Sequence, residues 1–217
     1  LVTTGIRNTL IGGLAGDALT DADFNAVLGF GALSSDTLGS KNVAIGSEAL
    51  HSQNFTSATD SFNTAVGVNA GYAVTTGVQN TLIGGLAGDA LTDADRNTAV
   101  GFQALTADTL GQFSTAMGYF ALGSQNFTSG TDVYNTAIGY VAGGSVTTGR
   151  FNNLFGALAG DSLTTGDSNT AIGYVSLSSD TKGERAVAVG EGALFTQNFT
   201  SETNNYNTAV GYNAGYG

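Results

Sequence analysis

The chain repeats itself at a fixed period, and this internal repeat constrains the fold more than any other feature of the sequence. The segment NTLIGGLAGDALTDAD at 8–23 recurs unchanged at 80–95, and a looser copy covers 152–167, so successive copies begin 72 residues apart. Three copies account for the chain. We interpret residues 1–217 as a single domain of three 72-residue super-repeats, 2–73, 74–145 and 146–217.

A shorter unit with the pattern N-T-[AL]-[VI]-G-x-x-A-[GL] occurs four times in each super-repeat, at successive spacings of 17, 17, 21 and 17 residues. The twelve units begin at Asn8, Asn25, Asn42, Asn63, Asn80, Asn97, Ser114, Asn135, Asn152, Asn169, Ala186 and Asn207. The fifth position is glycine in every unit. We predict that these twelve are structural glycines: Gly12, Gly29, Gly46, Gly67, Gly84, Gly101, Gly118, Gly139, Gly156, Gly173, Gly190 and Gly211.

Each unit has one short run of alternating apolar residues, then glycine, then polar turn residues, which is typical of a strand followed by turns. A helical repeat would need about 34 residues and a 3.6-residue apolar period, and the chain has 33 glycines. The sequence therefore predicts an all-β fold, a repetitive β-solenoid of 12 rungs, where a rung is one turn of 17 or 21 residues.

Equivalent residues of a solenoid stack in columns, so each position of the unit can be interpreted separately. The fourth position is always bulky and apolar, and we expect this column to form the core of the coil. The third position is mostly alanine and lies on the other strand face with the invariant glycine. That face is expected to pack against neighbouring chains near a symmetry axis; the alternative is a solvent-exposed face of small residues.

The column that opens the units is mostly asparagine, and we expect a hydrogen-bonded amide ladder there rather than a chemical site. The residue just before it is basic or aromatic in ten of the twelve units, which is typical of a corner that covers the coil edge.

Composition excludes several classes of function. With six Lys and Arg residues and a net charge of −11, the chain lacks the basic patch needed for binding nucleic acid. No apolar run approaches the ~20 residues of a membrane-spanning helix, so no membrane insertion is expected. There is no cysteine, and the one histidine, His51, lies in a long polar turn. We expect neither a catalytic site nor a cofactor.

The units resemble the repeats of trimeric autotransporter adhesin heads, and more closely those of phage-type tail fibre proteins. The matching segments are NTAVGVNAG at 63–71, NTAIGYVAG at 135–143, NTAVGYNAG at 207–215 and NVAIGSEAL at 42–50. The resemblance covers nearly the whole chain. It implies a left-handed β-roll, a homotrimer around a common axis, and a structural and adhesive role outside the cell or on a virion, with a host-surface glycan or protein as further partner.

Closely spaced aspartates recur in the turns, and oxygen-rich turns of this kind can bind Ca²⁺. The candidates are Asp17, Asp21, Asp23, Asp89, Asp93 and Asp95, with Asp161 and Asp167 in the third copy. Neither the EF-hand spacing nor a calcium nonapeptide is matched. The alternative, that these carboxylates hydrogen-bond their own backbone, is favoured.

The 21-residue unit carries four extra residues around the phrase QNFT, which gives the rod its most distinctive surface. The surface-contact candidates are therefore Asn54, Asn126 and Asn198, each in a glycosylation sequon, and Phe55, Phe127 and Phe199. The three phenylalanines are also expected to fold back onto the coil edge.

Aromatic residues gather at the sixth position of the unit: Phe30, Phe102, Tyr119, Tyr140, Tyr174 and Tyr212. A stacked ladder is expected there, and the alternative is a glycan-binding strip. Two other functions remain open. One is an ice-binding solenoid using Thr75, Thr76, Thr147 and Thr148, and the other is a fibre-borne glycan depolymerase using acidic residues. Those acidic residues are Asp36, Glu48, Asp60, Asp132, Glu191 and Glu202.

Overall fold

A computed structural model describes residues 2–216, and the last residue of the third super-repeat, Gly217, lies outside the described residues. This part of the chain contains only short strands and turns, and no helix of it is long and apolar enough to cross a membrane. The strands are β1 (Thr9–Ile11), β2 (Ala26–Leu28), β3 (Gly39–Ser40), β4 (Val43–Ile45), β5 (Thr59–Asp60), β6 (Thr64–Val66), β7 (Thr81–Ile83), β8 (Thr98–Val100), β9 (Gly111–Gln112), β10 (Thr115–Met117), β11 (Thr131–Asp132), β12 (Thr136–Ile138), β13 (Asn153–Phe155), β14 (Thr170–Ile172), β15 (Gly183–Glu184), β16 (Val187–Val189), β17 (Thr203–Asn204) and β18 (Thr208–Val210).

The three-residue strands form one parallel sheet of 12 strands, in which each rung contributes one strand and neighbours in the sheet are successive rungs. Pairing keeps equivalent positions opposite each other; Thr81 pairs with Thr98, and Leu82 pairs with Ala99. The two-residue strands form three smaller parallel pairs, one beside each 21-residue rung. The predicted all-β solenoid of 12 rungs is therefore confirmed.

The strand faces are the reverse of the expected ones. The third-position column, with Ala44, Leu82 and Ala99 among its members, is fully buried inside the coil. The fourth-position column, predicted to be the core, points outward, and the exposed fraction is 56% for Ile11 and 48% for Leu28. The prediction that the fourth position forms the core was wrong because the coil is narrow. Its interior has no room for a large side chain from every side, and alanine on the inward face of the strand fits that limited space.

The interior is completed by the eighth, ninth and twelfth positions of each rung, and the ninth position reads Gly, Leu, Leu, Gly through the four-rung cycle. Gly71 occupies a ninth position where Leu50 and Leu82 reach in from the rungs on either side. A Cβ at Gly71 would lie 2.7 Å from Leu82 Cδ1 and 3.0 Å from Leu50 Cδ2. Large residues of one rung thus fill the space left by small residues of the next. This packing between rungs explains why the sequence repeats every four rungs.

Candidate functional site

The glycine column holds the rungs at close distance. All twelve fifth-position glycines have a positive φ, between 126° and 145°. A Cβ on Gly12 would lie 2.6 Å from the carbonyl oxygen of Gly29 on the next rung, closer than atoms can approach. The same clash recurs along the column, except at Gly211 on the last rung. These positions therefore require glycine for both conformation and space.

The asparagine column forms a ladder, but chiefly between side chain and backbone. In nine rungs the Oδ1 atom of the opening asparagine accepts a hydrogen bond from the backbone N–H one rung further on, as Asn80 does from Asn97 at 2.9 Å. The Asn80 amide also donates to the Ala94 carbonyl at 2.7 Å. These side chains are buried connectors between rungs, as expected, with few direct amide–amide bonds.

A buried polar cluster, which sequence reasoning missed, holds each long loop (54–59, 126–131 and 198–203). In the second copy Asp108 is fully buried. Its carboxylate accepts hydrogen bonds from the Gly111 and Phe127 amides at 3.1 and 3.0 Å and from Gln125 Nε2 at 2.5 Å. The Gln125 Oε1 atom in turn accepts from Asn135 at 2.9 Å. We call this cluster the Asp–Gln clamp.

The clamp is repeated by Asp36 with Gln53, and by Asp180 with Gln197. The aspartate and glutamine stand at the twelfth position of successive rungs, and the column reads Leu, Asp, Gln, Val through the cycle. This interruption of an otherwise apolar interior column is the sequence signal that would have revealed it.

The long loops do not present their phenylalanines, which corrects their designation as contact residues. Phe55 and Phe127 are only 6% and 7% exposed, and Phe199 is half-buried, because the clamp draws the backbone inward. Their fold-back onto the coil, also expected, removes Phe55 and Phe127 from the surface and leaves Phe199 partly exposed. Asn54, Asn126 and Asn198 are exposed. Each accepts a hydrogen bond from a threonine of the preceding rung, at 3.1–3.2 Å.

Burial raises the pKa of three carboxyl groups above their ordinary range. Burial raises the pKa of Asp108 above 3.8, although its hydrogen-bond donors oppose the effect. Burial likewise raises the pKa of Asp89, against a hydrogen bond from Thr106, and the pKa of Asp161. The Asp161 Oδ1 atom is buried without a hydrogen-bond partner. In each case the charged form is disfavoured because water is excluded.

We expect these three carboxyl groups to increase the free energy of unfolding as the pH falls from 7 to about 4. A carboxyl whose pKa is higher in the folded chain binds protons more tightly there, so protonation between the raised pKa and 3.8 favours folding. Urea midpoints at the two pH values would show it, and Asp108→Asn should reduce the increase. A lower wild-type midpoint at the lower pH, or an increase that Asp108→Asn leaves unchanged, would contradict this expectation.

The calcium candidates are held in separate hydrogen bonds between rungs. Asp23 and Asp95 accept from the amides of Ile6 and Val78 at 2.7 and 2.8 Å. Asp93 accepts from Thr76 at 2.7 Å. Within residues 2–216 no three acidic or histidine side chains converge as a metal site would require. Asp17, Asp21 and Asp89, and the third-copy Asp161 and Asp167, belong to no such group either.

The six acidic residues of the depolymerase alternative are spread over four rungs. Asp36 is buried in its clamp and is out of reach of a substrate, whereas Asp60 and Asp132 are exposed. Glu191 and Glu202 are also exposed, on different segments of one rung. His51 is stacked on Tyr72, with ring centroids 5.0 Å apart. No pocket opens in the described part of the chain.

Two of the four threonines of the ice-binding alternative donate hydrogen bonds to the next rung. The hydroxyl of Thr76 donates to Asp93, and that of Thr147 donates to the Thr164 carbonyl at 3.2 Å. Thr75, Thr76 and Thr148 are exposed. Thr147 belongs to a column at the thirteenth position that reads threonine in most rungs and asparagine in the long ones. Its hydroxyls mostly bridge to the next rung rather than face solvent.

Two ladders of side chains run the length of the 12-stranded sheet, one beside the start of the strands and the other beside their end. The leading column is the residue before the opening asparagine of each rung, and the trailing column is the sixth position. In the leading column Tyr134 stacks between Phe113 and Phe151 at centroid distances of 5.1 and 5.9 Å. In the trailing column Tyr119 stacks between Phe102 and Tyr140 at 6.0 and 5.3 Å. Since these rings cover each other's faces, a glycan would meet mainly ring edges.

Between the two ladders lies the apolar strip, which we define as the twelve fourth-position side chains. Its members are Ile11, Leu28, Ile45, Val66, Ile83, Val100, Met117, Ile138, Phe155, Ile172, Val189 and Val210. All are exposed or half-buried, and they form a continuous row along the sheet. An apolar row of this length on the outside of a chain is typical of an interaction surface.

The chain matches no protein-family model, and neither the curated proteins nor the solved structures contain a protein that matches it significantly.

Proposed function

We propose that this chain is a structural and adhesive segment of an extracellular or virion fibre, built by three identical chains whose apolar strips pack together. The observation that carries the proposal is the strip itself: it is bulky, apolar and unbroken over twelve rungs. Alanine inside and isoleucine outside is an unfavourable arrangement for a chain alone in water, and it becomes favourable when other chains cover the outer face.

The stiffness of the rod follows from the rungs. Twelve rungs about 4.8 Å apart give a length of roughly 58 Å. Successive rungs are joined by the glycine contacts and, in nine rungs, by the opening asparagine. Stability of this kind is local, so a long fibre can be extended by adding rungs. These properties suit a structural element of a fibre.

The adhesive part of the proposal is supported by the resemblance to tail fibre and adhesin repeats and by the long loops. Each loop places hydroxyl side chains in solvent once every four rungs, such as Thr56 and Ser57, and the exposed Asp60 follows the first loop directly. A host-surface glycan or protein is the partner class that such polar, regularly spaced groups suit. The fibre would be displayed on a cell surface or a virion tail.

The proposal is tested by the mass of the chain in solution. Sedimentation equilibrium should give three times 21.7 kDa, and the variant Ile83→Lys with Ile172→Lys should shift the population towards single chains, because buried lysines would face one another. The control carries Ala90→Lys and Ser179→Lys, at the eleventh position of the same two rungs and away from the sheet. A single-chain mass for the wild type, or equal masses for both variants, would refute it.

A further inference from the structure

We infer that the leading column of one chain packs against the trailing column of the next, rung on the same rung, and that this pairing sets the axial alignment of the chains. The inference rests on the proposed function, since it concerns how identical chains meet around the apolar strip. The partner is a second, parallel copy of this chain.

A parallel arrangement of three chains brings these two columns together, whatever their axial offset. If the outer faces of three parallel sheets surround one axis, all strands circulate in the same direction, so the end of each strand approaches the start of a neighbour's strand. The leading column stands before the strands and the trailing column after them. The interface is therefore heterologous, and the two columns must be complementary.

Charge favours an unshifted alignment. The trailing column contains one charged residue, Glu191, and the leading column has Arg185 on that same rung. Arg185 binds Glu184 of its own chain at 3.0 Å, and its guanidinium has further N–H groups for a second carboxylate. Glu191 is exposed and belongs to none of the ion pairs found among the described residues.

A shift by one super-repeat would preserve the shape of the rod but not these contacts. Four rungs before Arg185 and Glu191, the same positions hold Phe113 and Tyr119. In the aligned arrangement arginine meets glutamate and phenylalanine meets tyrosine. In a shifted arrangement Glu191 would face Phe113, or Arg185 would face Tyr119, and the only opposite-charge match would be lost.

Size is compatible with this alignment. Gln79 in the leading column shares a rung with Gly85 in the trailing column, and Phe151 shares one with Ala157, so a long side chain meets a small one on these rungs. Tyr134 shares a rung with Tyr140, so two rings would pack together there. Because the size pattern repeats every four rungs, charge is what distinguishes the aligned arrangement from a shifted one.

Cysteine cross-linking tests the alignment, because the natural chain has no cysteine. Gln79→Cys with Gly85→Cys places the two thiols on one rung. Within one chain the two thiols stand roughly 16–20 Å apart across the strand. A bis-maleimide whose reach is below about 10 Å, the height of two rungs, is too short to join them and can join only thiols of different chains. We expect a covalent species of three chains on denaturing gels.

The matched control is Gln79→Cys with Ala157→Cys, which would cross-link only if chains were offset by four rungs, about 19 Å. We expect the cross-linked fraction of this control to be at least tenfold lower than that of the first variant. Cross-linking of the control instead, or of neither variant while sedimentation still shows three chains, would overturn the alignment and leave the proposed function standing. A single-chain mass would instead refute the proposed function.

Discussion

Gly84→Ala is expected to destabilise the chain far more than Gly85→Ala, although the two glycines are neighbours. Gly84 has a φ of 134°, and a Cβ there would lie 2.6 Å from the carbonyl carbon of Gly101 on the next rung. That conformation alone costs about 1–3 kcal/mol for a residue with a side chain, and moving the rungs apart adds to it. We expect a loss of about 3 kcal/mol or more in the free energy of unfolding.

Gly85 supplies the matched control because it lies at the outward sixth position and needs no positive φ. A Cβ there would lie 3.3 Å from Phe102 Cδ2, at the edge of a side chain that can shift slightly. Gly85→Ala should change the free energy of unfolding by less than about 1 kcal/mol. Urea unfolding followed by far-ultraviolet circular dichroism measures both variants. Similar midpoints for the two would show that the glycine column does not hold the rungs in contact.

The architecture could be predicted because it depends only on periodicity. The twelve markers and their spacings specify the number of rungs, and column stacking then places every asparagine and every glycine above its equivalent. Parallel in-register pairing, such as Thr115 with Thr136, follows without any knowledge of side-chain packing. Repetition within one chain thus supplied information that a single copy lacks.

The orientation of the strand could not be predicted in the same way, because size was taken as evidence of burial. In a broad core the bulky column would be inside. Here the large side chains of the third, ninth and twelfth columns, such as Leu82 and Leu91, fill the interior. Little room therefore remains inside for a bulky column from most strands. The outward isoleucines break the usual rule, and they do so at the surface to which we assign chain association.

The left-handed backbone of the corners was also beyond prediction. Arg7, Phe24 and Lys41 in the leading column have φ near 60°, a conformation that such residues seldom adopt. Their stacking supports it: the Arg7 guanidinium lies 5.0 Å from the Phe24 ring centroid, and Lys41 lies 5.0 Å from that of Phe62. Contacts between rungs outweigh local preference here, and no local sequence rule contains them.

Asp108→Ala is expected to release the second long loop while the first and third remain closed. The substitution removes the acceptor for the amides of Gly111 and Phe127 and for one N–H of Gln125, whose Nε2 still donates to Ser114 Oγ at 3.0 Å. These three N–H groups lose their partner at about 1–3 kcal/mol each, so the clamp should lose roughly 3–9 kcal/mol. The loop can recover much of this by opening to water, which would expose Phe127.

Chymotrypsin cleavage after Phe127 is the readout, because the ring is 7% exposed in the closed loop. The variant should be cut there at least tenfold faster than the wild type, and the fragments 1–127 and 128–217 identify the site. Phe55 and Phe199, in the unaltered loops, are references within the same molecule. Asp132→Ala, an exposed carboxylate beside the same loop, is the matched control and should leave the rate unchanged. If Asp108→Ala were cut no faster at Phe127 than this control, the loop would be held by its phenylalanine packing and not by the clamp.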